Sequence, residues 1–154
     1  MSSQDIEKRL SELENTEAIK RLRYTYCYLC DEYKMDELLQ LFAKDAQADF
    51  HEFGQYVGNA EVARFYKDIV PKAMTFFVHM VSNPMIHIID DEHAKGKWYA
   101  DVPAILGGEA RWMCGRYEEE YIKENGQWKF KVMKFFWFYE TPFDKGCVKE
   151  RIKV

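Results

Sequence analysis

Tyr117-Glu118-Glu119-Glu120-Tyr121-Ile122-Lys123-Glu124-Asn125-Gly126-Gln127-Trp128-Lys129-Phe130 carries the strongest hairpin signal in the chain. Asn-Gly suits the two central positions of a type I′ turn, where both residues need positive φ and the twist matches that of the flanking strands. The reading is a strand over 109–123, a tight reversal, and a strand over 127–140. Further back, Gly107-Gly108, Asp90-Asp91-Glu92 and Asn83-Pro84 separate strands predicted at 94–104, 84–90 and 75–82. Consecutive strands of this length joined by short turns predict a bent antiparallel meander.

The first third of the chain has a different period. Ile6, Leu10 and Leu13 mark a short helix over 4–14. Asn15 or Thr16 then caps a second helix, whose apolar stripe is Ile19, Leu22, Tyr26, Leu29 and Tyr33. Met35 to Phe42 reads as a third. Ala46, Ala48 and Phe50 alternate with polar residues as a half-buried strand does, and Gly54 and Gly58 bracket a hairpin at Gln55-Tyr56-Val57. A helix from Ala60 to Ile69 follows, stopped by Pro71. Helices followed by a run of strands predict one α+β domain over 1–154, with the N-terminal helices packed on a strongly curved sheet and a cone-shaped pocket between them.

Composition narrows the function. With 47% hydrophobic and 31% charged residues the chain is an ordinary globular protein, and its 16% aromatic content suits a ring-lined cavity. The net charge is −4 and no run of Lys or Arg stands out, which argues against a nucleic-acid partner or an anionic membrane surface. No apolar stretch approaches the roughly 20 residues that span a bilayer, and the polar N-terminus has no signal core, so a cytoplasmic location is expected. Cys27 and Cys30 form a C-x-x-C, but inside a helix and followed by acids, the wrong setting for a stabilised thiolate. Cys114 and Cys147 bring no histidine near enough in sequence for zinc, so buried reduced thiols and no metal are expected. G-x-G-x-x-G, P-loop, G-x-S-x-G and H-E-x-x-H motifs are absent from the sequence. Cofactor-free proton chemistry or simple binding remains.

Two titratable residues stand out. Asp31 lies among Tyr24, Tyr26, Tyr28 and Tyr33, either as a solvated acid at a helix end or as a desolvated carboxylate. His79 interrupts the apolar strand Phe76-Phe77-Val78-His79-Met80-Val81, either as a satisfied core histidine or as a pocket base. On the 94–104 strand Lys97, Tyr99 and Asp101 alternate with Trp98, Ala100 and Val102, and periodicity leaves open which set faces the pocket.

Tyr26 and Asp31, Met35-Asp36-Glu37-Leu38, Asp45-Ala46, His79, Lys97-Trp98-Tyr99 and Tyr117-Glu118 with Asn125-Gly126-Gln127-Trp128 together resemble the SnoaL-like branch of the nuclear-transport-factor-two-like superfamily over roughly residues 12–142. The likeness is greatest to the bile acid 7-alpha-dehydratases, and more distant to scytalone dehydratase and gamma-hexachlorocyclohexane dehydrochlorinase. The resemblance implies a cone-shaped α+β barrel and a homo-oligomer, a trimer before a dimer, that eliminates water or HCl from a small molecule without a cofactor. It places a catalytic pair at Asp31 and His79, with Tyr26 assisting. Phe50, Trp98, Asp101, Trp137 and Tyr139 are the expected substrate-binding residues. Two departures bear on the substrate. The acid expected at Val102 stands one position early, at Asp101, and Trp137 replaces an arginine of the last strand, which favours a flat or apolar cyclic compound. Isomerisation, dehalogenation and non-catalytic ligand binding use the same scaffold and stay open.

Overall fold

The computed structural model describes residues 2–149. Its first element is a single helix, α1 (Ser3–Asp31), started by a capping box in which the Ser2 hydroxyl accepts from Asp5 N at 3.1 Å and the Asp5 carboxylate accepts from Ser2 N at 2.9 Å. The two helices expected before residue 33 are therefore one. Asn15 and Thr16 do not cap, because their side chains have other partners. Thr16 Oγ1 donates back to the Glu12 carbonyl at 2.7 Å. Asn15 Oδ1 accepts from Lys123 Nζ at 2.7 Å and Trp128 Nε1 at 3.1 Å, tying mid-helix to the Asn-Gly hairpin. α1 ends in a Schellman closure, with Tyr33 N donating to the Cys30 carbonyl and Lys34 N to the Leu29 carbonyl, and Tyr33 in the left-handed region at φ 55°.

α2 (Met35–Leu39) is shorter than the expected 35–42, because Phe42 already begins a strand and the turn residue before it is tied to the sheet: Phe130 N donates to the Leu41 carbonyl at 2.9 Å. The strands are β1 (Phe42–Asp49), β2 (Gln55–Val57), β3 (Met74–Phe77), β4 (Met80–Ile88), β5 (His93–Leu106), β6 (Glu109–Glu124) and β7 (Gln127–Pro142). They form one sheet in the order β2-β1-β7-β6-β5-β3, with β4 also on β5. Only β1 on β7 is parallel, so the sheet is mixed. Between β2 and β3, α3 (Asn59–Arg64) leads through a π-turn at Phe65–Ile69 into α4 (Val70–Ala73). Pro71 therefore does not end the helical run, because it stands in the first turn of α4, where a missing amide hydrogen costs no intrahelical bond. A short α5 (Gly146–Lys149) closes the described chain.

Two bulges in β7 bend the sheet. Glu120 pairs with Val132 but Tyr121 with Phe130, which leaves Lys131 extra; Gly115 pairs with Trp137 but Cys114 with Tyr139, which leaves Phe138 extra. Each bulge reverses which side chains face inward. On β5 the small or apolar set Ala94, Gly96, Trp98, Ala100, Val102 and Ala104 faces the helices, while Tyr99 and Ile105 stand exposed on the outer face. Gly115 is required where it stands: a Cβ there would come within 2.4 Å of the Phe136 carbonyl oxygen and 2.5 Å of the Phe135 ring.

The strand expected over 75–82 is broken. β3 stops at Phe77 and β4 starts at Met80, because the His79 amide leaves the ladder to donate to a side chain on α1.

Candidate active site

That side chain is Asp31, the last residue of α1. Its carboxylate accepts from the His79 backbone N–H at 3.1 and 3.0 Å, and Oδ1 lies 2.6 Å from His79 Nδ1. An ionised carboxylate only accepts, so the proton between them sits on Nδ1 and the Nε2 lone pair stays free. The Schellman turn fixes the carboxylate's position: the Tyr33 ring packs at a tilt on Phe77, centres 5.0 Å apart, and its hydroxyl donates to the Met74 carbonyl at 3.0 Å, holding the end of α1 against β3.

His79 opens into a cavity between α1, the π-turn and the concave face of the sheet, enclosing about 560 Å³ of atom-free space including its mouth. Most of its lining is rings: Phe50, Phe53, Phe65, Phe77, Phe135 and Trp137, with Tyr26 from α1, Tyr66 from the π-turn and Tyr117 from β6.

Burial holds His79 below its usual pKa, against the pull of the Asp31 hydrogen bond and charge, with Arg23 adding to the depression. The imidazole is therefore neutral near pH 7, the form that accepts a proton. The Tyr26 ring meets it edge-on at 5.9 Å, and the Tyr26 and Tyr66 hydroxyls share a hydrogen bond of 2.8 Å. Burial raises both phenols well above their usual values, and pushes Tyr117 up to about 12, so all three remain protonated donors.

Below the tyrosines lies a buried ion pair. Arg23 Nη1 donates to Glu119 Oε1 at 2.8 Å with both side chains fully enclosed. The Tyr121 hydroxyl donates to Glu119 and accepts from Trp98 Nε1 at 2.9 Å. The Arg23 guanidinium lies 3.7 Å from the Tyr117 ring centre and 4.5 Å from that of Tyr26, a cation beneath two cavity phenols. Burial raises the Glu119 carboxyl, opposed by the charge of Arg23 and the Tyr121 hydroxyl.

Of the residues expected from sequence, the structure brings together Tyr26, Asp31 and His79, with Phe50 and Trp137 on the walls. Three others, Trp98, Asp101 and Tyr139, were expected at the cavity and lie outside it. Trp98 is fully buried between Tyr24 of α1 and Tyr121, in the core and outside the cavity. Asp101 is on the outward set of β5 and accepts from Trp112 Nε1. Tyr139 is turned to that same outer face by the Phe138 bulge, where it meets Trp112 at 5.5 Å. Tyr66, Phe65 and Phe53 line the cavity without having been singled out as site residues. Glu119 had a legible signal, an acid in step with Tyr117 and Tyr121 on a period of two. Arg23 had one as well, lying one helical turn before Cys27 on the stripe that holds Ile19. Cys27 and Cys30 are buried free thiols, pushed up by burial, and among the described residues no group of three His, Cys, Asp or Glu could hold a metal ion. No helix of the described residues is long and apolar enough to cross a membrane.

A few helices closing the concave side of a strongly curved mixed sheet, over a ring-lined cavity, define the cone-shaped class of α+β domain. The chain belongs to the SnoaL-like domain family, which matches it over residues 11–134. Similar solved structures include a scytalone dehydratase-like protein of Novosphingobium aromaticivorans DSM 12444, at 21% identity and TM-score 0.80 over 86% of this chain and 90% of that one. Hexachlorocyclohexane dehydrochlorinase LinA-type3 of Novosphingobium barchaimii LL02 is similar at 21% identity and TM-score 0.81, over 88% and 94%. An NTF2-like protein with a cystatin-like fold, from Novosphingobium aromaticivorans, aligns at 17% identity and TM-score 0.71 over 96% and 94%.

Proposed function

We propose that the chain is a cofactor-independent lyase of the dehydratase type acting on an apolar cyclic or aromatic small molecule. The observation that carries this reading is the 2.6 Å contact of His79 Nδ1 with Asp31, which leaves Nε2 as an unprotonated base on a ring that lines the cavity. His79 Nε2 takes a proton from a carbon next to an electron-withdrawing group. Asp31 holds the tautomer and stabilises the imidazolium, and Tyr26, keeping its proton, donates a hydrogen bond to the oxygen on which charge develops. As the C–C double bond forms, the β-hydroxyl leaves as water with the proton returned from His79, so acid and base are restored. Phe50 and Trp137 hold the rings of the substrate. Dehydrohalogenation or isomerisation would use the same base.

The test is a panel of cyclic β-hydroxyketones, followed by the absorbance of the conjugated enone. The wild-type protein should dehydrate at least one of them, and His79→Gln should slow it by about 10²–10⁴-fold. Equal rates in the two proteins would refute the proposal. A second reading, a binding module in which the pair is structural, draws on the Asp31 contacts to the His79 backbone. It expects ligand binding with no turnover in either protein.

The proposal includes a homo-oligomer, a trimer by the resemblance. Supporting it are the apolar side chains of Phe76, Met80 and Tyr99 exposed on the sheet, and of Ile6, Leu10 and Leu13 along the first turns of α1. Sedimentation equilibrium that returned a monomer would remove this part.

A further inference from the structure

The chain has four tryptophans, and a buried indole N–H ordinarily finds an acceptor. Three of them do: Trp98 donates to the Tyr121 hydroxyl, Trp112 to Asp101 and Trp128 to Asn15. Trp137 Nε1 is buried and has no acceptor among the described residues, and Trp137 is the one tryptophan that lines the cavity. Its ring is held by Phe53 at 5.6 Å and by Phe135 at 4.7 Å, so the indole is positioned by packing and not by its polar atom. The Phe138 bulge keeps Trp137 on the concave face while it sends Tyr139 outward. A buried donor without an acceptor costs free energy, and any occupant that supplies an acceptor relieves it. The other polar groups of the lining, His79 and the Tyr26, Tyr66 and Tyr117 hydroxyls, come from β3-β4, α1, the π-turn and β6, so a donor on β7 adds a separate point that sets orientation and selects among ligands of similar shape.

We infer that the Trp137 indole N–H is a specificity-determining donor to an oxygen on the ring system of the substrate. The substrate class is then an oxygenated cyclic compound, a ketone, phenol or ring ether, and not a hydrocarbon or halocarbon of the same shape. This rests on the reading of the cavity as the substrate site, but not on the acid–base role of His79.

The experiment uses full-length protein with ¹⁵N-labelled indoles and two probes with one carbon skeleton, 1-tetralone and tetralin, which differ by a carbonyl. Trp137→Phe identifies the Trp137 signal by its loss. 1-Tetralone should bind and move that indole proton downfield, and tetralin should bind without doing so. Trp137→Phe should lower the affinity ratio of ketone to hydrocarbon by roughly tenfold, while any loss of packing affects both probes alike. Three results would overturn the inference: equal ratios in wild type and variant, no binding of the ketone up to its solubility, or an indole proton shifted upfield and unmoved by ketone, which would assign it to the face of Phe135. His79→Gln separates the two claims. It should keep the indole shift even where it abolishes elimination, whereas an unchanged ratio in Trp137→Phe beside an inactive His79→Gln leaves the lyase proposal standing and this inference refuted.

Discussion

Replacing Asp31 by Asn tests the base assignment without a substrate. The carboxylate accepts twice from His79, from the backbone N–H at 3.0–3.1 Å and from Nδ1–H at 2.6 Å. Asparagine has one acceptor oxygen and one donor nitrogen. If its oxygen keeps the backbone N–H, its amide faces Nδ1, which is satisfied only as an acceptor. The ring proton then moves to Nε2, and the group facing the cavity changes from base to donor. The stability cost is small, since one charge-assisted hydrogen bond becomes a neutral one: about 1 kcal/mol, or roughly 2–4 °C in Tm for a chain of this size. Asp31→Ala strands both donors and should cost about 2–4 kcal/mol. Long-range ¹H–¹⁵N correlation spectra at pH 7.5, where burial keeps His79 neutral, report the tautomer directly. Wild type should show a protonated Nδ1 and a bare Nε2, and Asp31→Asn the reverse, with any elimination rate down by roughly 10²–10⁴-fold. A wild-type protein already protonated on Nε2, or a tautomer unchanged by the substitution, would refute the reasoning.

Because burial depresses the His79 pKa, the unfolded chain binds the proton more tightly than the folded one, so stability is level above about pH 6.5 and falls as pH drops below it. Urea midpoints from pH 7.5 to 5.5 should slope in wild type and lose part of that slope in His79→Gln; identical slopes would remove the burial argument. Any elimination rate should rise with pH through an apparent pKa below the usual histidine value and then level off. Glu119→Leu leaves the enclosed Arg23 charge without its partner and should cost about 3–5 kcal/mol, whereas Arg23→Met with Glu119→Leu should recover most of the loss. Urea titration of the double-mutant cycle checks this, and a single-variant cost under about 1 kcal/mol would mean the pair is not held dry.

Turn chemistry and period were written in the sequence because they are local. Asn125 and Gly126 take φ of 52° and 77°, as a type I′ hairpin requires, and Gly107 and Gly108 take 59° and 85°. The β5-β6-β7 meander followed from those positions, and the order of helices before strands indicated the α+β class. Asp31 and His79 stood out from their neighbours in the sequence, but each also suits an ordinary helix end or core strand, and only the resemblance paired them and added Tyr26. Tertiary partners decided the rest. Asn15 reads as a cap until Lys123 and Trp128 claim its side chain. The His79 amide reads as part of a strand until Asp31 takes it out of the ladder. Trp137 and Tyr139, two apart, would share a face in an unbroken strand, but the extra residue at Phe138 separates them, and a bulge depends on the register of two strands. The sequence by itself determined the elements, their order and the turns between them, since those depend on a residue and its near neighbours. Which side chains meet in the cavity was decided by the folded chain, where donors and acceptors far apart in sequence compete for one another.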